Sequence, residues 1–466
     1  MKKFLKLLPL LLVFSMLLTS LCACMQPSET GTTGTPDNNN DQPAPFVDYA
    51  STVKFDPASG RASATVTVRS YIDGDTTHFN VPTTVNETGV LKARYLGVNT
   101  PESTGKIQPW GKKASNYTKN ALKNATSIMI ESDTAKWNPD STGERFLVWV
   151  WYKTAETEDY RCLNLEILQA GLAVSSKASD TCYGEICTKI LNQAVQHKLY
   201  VHSKEKDPDF YYGKALPMTL KELKTNIEKY RDKSVSFEGV VVRAANQTAY
   251  VEEYDEETGL YFGIQVYYGF DLGSHGTQIL SSGNRVRIVG SVQYYENGGT
   301  YQISDITYSA MRPDAPENIK KISEGHSASY TEVTAKDLLT KKISLEITET
   351  DDEGNEKLTN KTFDYGFLTM HGTASIKNLV IKEVYTTMTD GSANKGALSI
   401  TCEAEDGTKI VLRTIVLRDE NGNLITEQSF EVGSRIDAKG IVDVYNGVYQ
   451  LKIFSLDDVT FHEETN

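Results

Sequence analysis

Arg94-Tyr95-Leu96-Gly97-Val98-Asn99-Thr100-Pro101-Glu102 is the stretch on which the reading of the first half of the chain turns. Arg94 alternates with apolar neighbours along residues 90–98, a two-residue period that predicts a strand. Pro101 ends it, because proline fixes its own φ and biases Thr100 toward extended geometry. Upstream, residues 64–68 alternate in the same way and residues 76–81 follow the turn Asp73-Gly74-Asp75, so three strands are expected across 62–98. Downstream, Pro109 takes a first-turn position, and Trp110, Ala114, Tyr117, Ala121 and Leu122 recur at helical spacing. Strands at 127–131 and 145–152 come next, then helices at about 163–171, ended by Gly171, and at 184–199. Strands first, with helices inserted or appended, predict an α+β unit, a barrel of five strands with three helices.

The polar residues of this region suit one chemistry. Hydrolysing a phosphodiester near neutral pH requires a base for water, cations against the charge of the transition state, and usually a hard metal ion. Asp75, just after a glycine turn, and Asn99, at the end of a later strand, converge if their strands are neighbours and then offer oxygens to such a cation, with the Thr100 carbonyl beside them. Glu102 is the candidate base. Arg94 and Arg145 supply planar guanidinium forks that stay charged at any working pH. Taken singly, each has a plainer reading: Asp73-Gly74-Asp75 as a simple turn, Glu102 as a solvated loop carboxylate, each arginine as an outward-facing strand residue.

The whole chain sets the frame. Its 466 residues exceed one ordinary core and point to about three domains. Lys2 and Lys3 precede a nearly all-apolar run at 7–21, the layout of a secretory signal and too short for a membrane span. The run ends in Leu21-Cys22-Ala23-Cys24, which resembles a bacterial lipobox, so 1–24 is read as a lipoprotein signal and Cys24 as the lipidated residue. The alternative is an ordinary signal cut nearby, with release of the protein. Residues 25–60 are read as a disordered tether, since 25–45 holds almost no apolar side chain. The folded part is therefore expected on the outer face of a bacterial membrane. In that oxidising setting Cys182 and Cys187 are close enough in sequence for a disulfide, although their five-residue spacing also fits one helical face, where the geometry is poor. A net charge of −13 argues against coating nucleic acid by bulk electrostatics, yet residues 62–204 sum to about +2, which leaves room for a locally basic cleft.

Beyond a charged boundary near 205–216 the chain repeats itself. Gly283-x-Arg285 and Gly290 are matched by Gly433-x-Arg435 and Gly440, and Tyr301-Gln302 by Tyr449-Gln450. Helix starts at Thr219 and Thr334 lead into the two copies. Two small OB-type β-barrels are expected, at 215–312 and 330–464, separated by a polar linker near 312–330, and the second carries an insertion at about 345–372 with no evident place. Tyrosines of the first copy, Tyr250, Tyr254, Tyr261, Tyr267, Tyr294, Tyr295 and Tyr301, are candidates for stacking bases, against acidic runs that repel phosphate.

Together the motifs of residues 61–204 resemble the staphylococcal nuclease (thermonuclease) family. Tyr71-Ile72-Asp73-Gly74-Asp75-Thr76 resembles its metal loop, 94–102 its core motif, Arg145-Phe146-Leu147-Val148-Trp149-Val150 its strand opened by the second arginine, and Leu168-Gln169-Ala170-Gly171-Leu172-Ala173 a later segment. The resemblance implies a mainly β chain: an OB barrel with three helices, then the two smaller barrels. It implies Ca²⁺-dependent cleavage of DNA and RNA with little sequence preference and a 3′-phosphate product. Asp75, Asn99 and the Thr100 carbonyl map onto the metal positions, Asp73 beside them, and Arg94, Glu102 and Arg145 onto the catalytic trio. One departure is Asn99, where the family usually has Asp, so a ligand keeps its oxygen and loses its charge. The other reading is a catalytically silent surface lipoprotein that holds nucleic acid or another polymer. No obligate protein partner is evident from the sequence.

Overall fold

The computed structural model describes residues 44–462 apart from 105, 158, 271, 297, 351–355 and 390–391, so Cys24 and the signal lie outside the described residues. In the first barrel, β1 (Ser63–Asp73), β2 (Thr76–Asn80) and β3 (Val90–Tyr95) form an antiparallel meander. β4 (Ser127–Glu131) returns to β1, and β5 (Phe146–Lys153) pairs antiparallel with β4 and parallel with β3, which closes the barrel. Alternate side chains such as Phe79, Leu91 and Ile130 fill its interior. β5 instead buries every residue from Val148 to Tyr152: Phe55 and Tyr183, the latter just ahead of α3 (Gly184–Gln196), pack on Trp149 and Trp151, and α2 (Leu163–Gln169) meets the strand through Asn164 and Glu166. α1 (Gly111–Lys123) lies over the start of the meander, burying Ala114, Thr118 and Leu122.

The same connectivity recurs twice. β6 (Ser234–Ala245), β7 (Thr248–Asp255), β8 (Leu260–Tyr267), β9 (Arg285–Tyr295) and β10 (Thr300–Ser304) form the second barrel. β11 (Thr373–Thr386), β12 (Leu398–Glu403), β13 (Lys409–Thr414), β14 (Arg435–Tyr445) and β15 (Val448–Ile453) form the third. In all three, the fifth strand runs parallel to the third and the fourth closes onto the first. The repeated glycines have a packing reason: a Cβ on Gly290 would stand 2.6 Å from the Ser304 carbonyl oxygen, and one on Gly440 2.3 Å from that of Lys452. Both repeats open as expected, the Thr219 and Thr334 hydroxyls accepting from the Glu222 and Asp337 amides at 3.1 and 3.0 Å.

Four expectations change. The tether ends earlier than residue 60, because Phe55 packs on Trp151 and Tyr160, and Val47 exchanges hydrogen bonds with Gln193, both at 2.8 Å. The linker near 312–330 is partly a strand, Lys320–Ser323, added to the edge of β9. The insertion is a hairpin, Lys342–Thr350 with Glu356–Asp364, whose Leu345, Ile347 and Phe363 pack into the core of the second barrel. Cys182 and Cys187 are free thiols: Cys182 is exposed ahead of α3, while Cys187 sits inside the core near Gly97, so the two side chains serve different environments. At the joint of the second and third barrels, buried Lys224 donates to the carbonyls of Gly263 and Met370 at 3.2 and 2.9 Å, and the buried Glu252 carboxylate accepts from the Thr373 amide at 2.7 Å. Among the described residues no helix is long and apolar enough to cross a membrane.

Candidate active site

The β1–β2 turn carries Asp73, Gly74 and Asp75 on a tip that is held from three sides. The Tyr95 amide donates to the Asp75 carbonyl at 2.9 Å, the Thr118 hydroxyl of α1 donates to the Gly74 carbonyl, and the Thr100 amide donates to Asp75 Oδ2 at 2.8 Å. A Cβ on Gly74 would lie 2.8 Å from Thr100 Oγ1 and 3.0 Å from the Ala114 methyl, so only glycine lets the turn, the Thr100 loop and α1 meet. Both acids are therefore buried, Asp73 at 5% and Asp75 at 1% exposure.

Arg94 reaches this tip because it sits opposite Thr76 across the β2–β3 ladder. Its guanidinium donates to Asp75 Oδ1 and, at 2.5 Å, to Asn99 Oδ1. The two oxygens expected to face a metal thus converge on one positive charge, which is the arrangement a hard cation requires. The donor set fits such an ion, and for the ion to use Asp75 Oδ1 the Arg94 contact must be given up. Among the described residues no group of three or more His, Cys, Asp and Glu side chains is spaced to hold a metal.

Glu102 is exposed, and its carboxyl meets that of Asp73. Burial first, and then Glu102, push Asp73 up to about 7, against the opposing pull of the Ser103 hydroxyl and the Gly74 amide. Burial likewise raises Asp75, while Arg94 and the Thr100 amide draw it down. The Ser103 hydroxyl donates to Asp73 Oδ1 at 2.7 Å. Arg145 stands just ahead of β5, whose Phe146 and Leu147 lie beside Ala93 and Arg94 in parallel register. Its Nε donates to Asp140 Oδ2 at 2.7 Å, on its own loop. The structure therefore brings Asp73, Asp75, Arg94, Asn99, Thr100 and Glu102 together, and holds Arg145 on the loop ahead of the neighbouring strand with a partner outside the cluster.

Sequence reasoning read Gln108 only as the lead-in to α1 and Asp207 only as part of a charged boundary, and gave neither a role at the site. Gln108 brackets the base: its Oε1 accepts from the Glu102 amide at 3.1 Å and its own amide donates to the Glu102 carbonyl at 2.9 Å. Asp207 accepts from the Trp110 amide at 2.5 Å, where Trp110 adopts φ 70° to start α1. A glutamine just before Pro109 is a readable signal for the first. Asp207 had none, because its partner is far away in the chain.

Residues 92–199 match the family model described as staphylococcal nuclease homologue, a span that leaves out the Asp73–Thr76 turn. No curated protein matches the chain.

Proposed function

We propose that the staphylococcal nuclease homologue domain is an active, Ca²⁺-dependent phosphodiesterase that cuts DNA and RNA with little sequence preference and leaves 3′-phosphates. The observation that carries this reading is the convergence of Arg94, Asp75, Asn99 and the Glu102–Asp73 carboxyl pair on one hairpin tip. Glu102, open to solvent and bracketed by Gln108, takes the proton from an attacking water. Arg94 offers its fork to the phosphoryl oxygens as their charge grows, and Arg145, released from Asp140, offers a second. Asp75, Asn99 and the Thr100 carbonyl would hold Ca²⁺, which supplies Lewis-acid charge to a phosphoryl oxygen. Asp73 orients the set through Ser103 and Glu102. A lipid on Cys24 would place this activity on the outer face of a bacterial membrane.

One observation favours a second reading, a silent binding protein: both arginines are already engaged by protein oxygens. Incubating the purified chain with plasmid and single-stranded DNA, with and without calcium, separates the two. Calcium-dependent cleavage that disappears in Glu102→Gln and falls in Arg145→Ala supports the enzyme. Binding without cleavage under every condition supports the alternative. Anchoring is tested separately by mass spectrometry of the mature N-terminus, where an unmodified Cys24 ends the lipoprotein reading.

A further inference from the structure

The three barrels surround a groove of about 1880 Å³, well beyond the roughly 300–1,000 Å³ of a small-molecule site. One end comes up beside the candidate active site: none of the acids or arginines of that site lines the groove, but Ile72 and Ser103, neighbours of Asp73 and Glu102, do. Most of its cations are neutralised locally: Lys112 pairs with Asp232 at 2.6 Å, Lys119 with Glu296, and Lys452 with Asp443 at 3.5 Å. Two guanidiniums are not. Arg69, on β1 near the active-site end, has no carboxylate partner among the described residues. Arg413, in the third barrel, donates at 2.8 and 2.9 Å to the hydroxyls of Ser399 and Thr387, and among the described residues no carboxylate pairs with it either. Tyr385 and Tyr445 stand close to Arg413 and are 58% and 65% exposed. Gln293 of the second barrel also lines the groove, and its Nε2 is buried without a partner.

We propose that this groove binds a single strand of nucleic acid, with phosphates on Arg69 and Arg413 and bases against Tyr385 and Tyr445, and leads it to the phosphodiester-cutting site. The idea rests on the proposed function for its direction and not for its chemistry. Unpaired guanidiniums call for anions, which a neutral polysaccharide lacks. Open aromatic faces call for bases free to unstack, which a duplex withholds. The expected tyrosine set is narrowed: Tyr254 and Tyr261 pack against each other at a tilt of 47° outside the groove, and Tyr250 is buried with its hydroxyl accepting from Lys452 at 3.0 Å.

The test measures fluorescence anisotropy of labelled oligo(dT) of 4 and 20 nucleotides on the full chain in chelator, so that cleavage does not interfere. The 20-mer is expected to bind the wild type at least tenfold more tightly than the tetramer. Arg413→Ala and Tyr445→Ala are each expected to weaken the 20-mer about fivefold or more. Tyr445 is exposed, so its replacement leaves packing intact and keeps the test valid even if Arg413→Ala unfolds. Equal 20-mer affinity in wild type and Tyr445→Ala overturns the proposal, as does a 20-mer that duplex DNA or dextran displaces at equal concentration. A chain that binds the 20-mer through these residues but cleaves nothing with calcium keeps the groove and refutes the nuclease reading.

Discussion

The first and second barrels place their first hairpins alike and equip them differently. In the first, Asp73 pairs across the ladder with Thr76, and Thr76 with Arg94; in the second, the same register positions hold Ala245, Thr248 and Tyr267. The turn between is Gly74-Asp75 in one and Asn246-Gln247 in the other, the latter pair both left-handed at φ 50° and 60°. A two-residue turn with both residues in that region closes a hairpin without help. The Gly74-Asp75 tip instead depends on α1 and the Thr100 loop, which together bury its acids. The barrel is thus a common scaffold, and the chemistry belongs to a hairpin tip pulled inward by its neighbours.

The largest expected effect breaks the comparison outright if it fails. Glu102→Gln should lower kcat for single-stranded DNA about 10²–10⁴-fold, the usual share of a general base. Residual turnover within tenfold of the wild type would mean that another part of the chain does the cutting, and the contrast between tips would lose its meaning.

Gly74→Ala comes next. The new methyl collides with Thr100 Oγ1 and Ala114, so the first barrel should lose about 1–3 kcal/mol. All four tryptophans, Trp110, Trp137, Trp149 and Trp151, lie in that barrel, so urea unfolding followed by tryptophan fluorescence reports on it alone. An unmoved midpoint would show that the tip is not wedged between α1 and the Thr100 loop.

Local signals made this scaffold readable and distant contacts hid the rest. The strand periods, the Gly171 stop and the run from Arg94 to Glu102 are short-range features, and each element formed within a few residues of its expected bounds. Arg94 comes to Asp75 by strand adjacency, whereas Asn99 lies on a separate short strand, Gly97–Asn99, paired with Val174–Ser176, and meets the tip through the Arg94 guanidinium. What escaped depends on partners far along the chain: residues 46–60 looked like tether because their few apolar side chains, such as Phe55, gain their value only against Trp151 and Tyr160. The hairpin at 342–364 alternates cleanly in its first strand, at Ile343, Leu345 and Ile347, but its place was hidden because Leu345 and Phe363 find a core in a different barrel. The partner of Arg145, Asp140, was in view, but its engagement with that arginine was not, since nothing in the spacing separates a loop carboxylate from a free one.

Asn99→Asp sharpens the contrast at the metal positions. It restores a charge beside Asp75 and should lower the calcium concentration for half-maximal cleavage by roughly an order of magnitude, the scale on which ligand charge tunes such sites. Arg94, which already donates to Asn99 Oδ1, will grip the new carboxylate more tightly, so part of the gain is offset by competition for that oxygen. An unchanged calcium requirement would remove Asn99 from the ligand set.

The smallest effect is expected in the second barrel. Asn246 already adopts φ 50°, so Asn246→Gly relieves mild strain while widening the unfolded ensemble, and the two nearly cancel. The tryptophan transition should stay where it is and the global midpoint should move by less than about 0.5 kcal/mol. The paired outcome matters more than either value. A self-sufficient turn tolerates a change of backbone freedom, whereas a tip held from outside does not tolerate one methyl. If Asn246→Gly were as damaging as Gly74→Ala, the second hairpin would also be held by its surroundings, and the division between scaffold and chemistry would have to be drawn elsewhere.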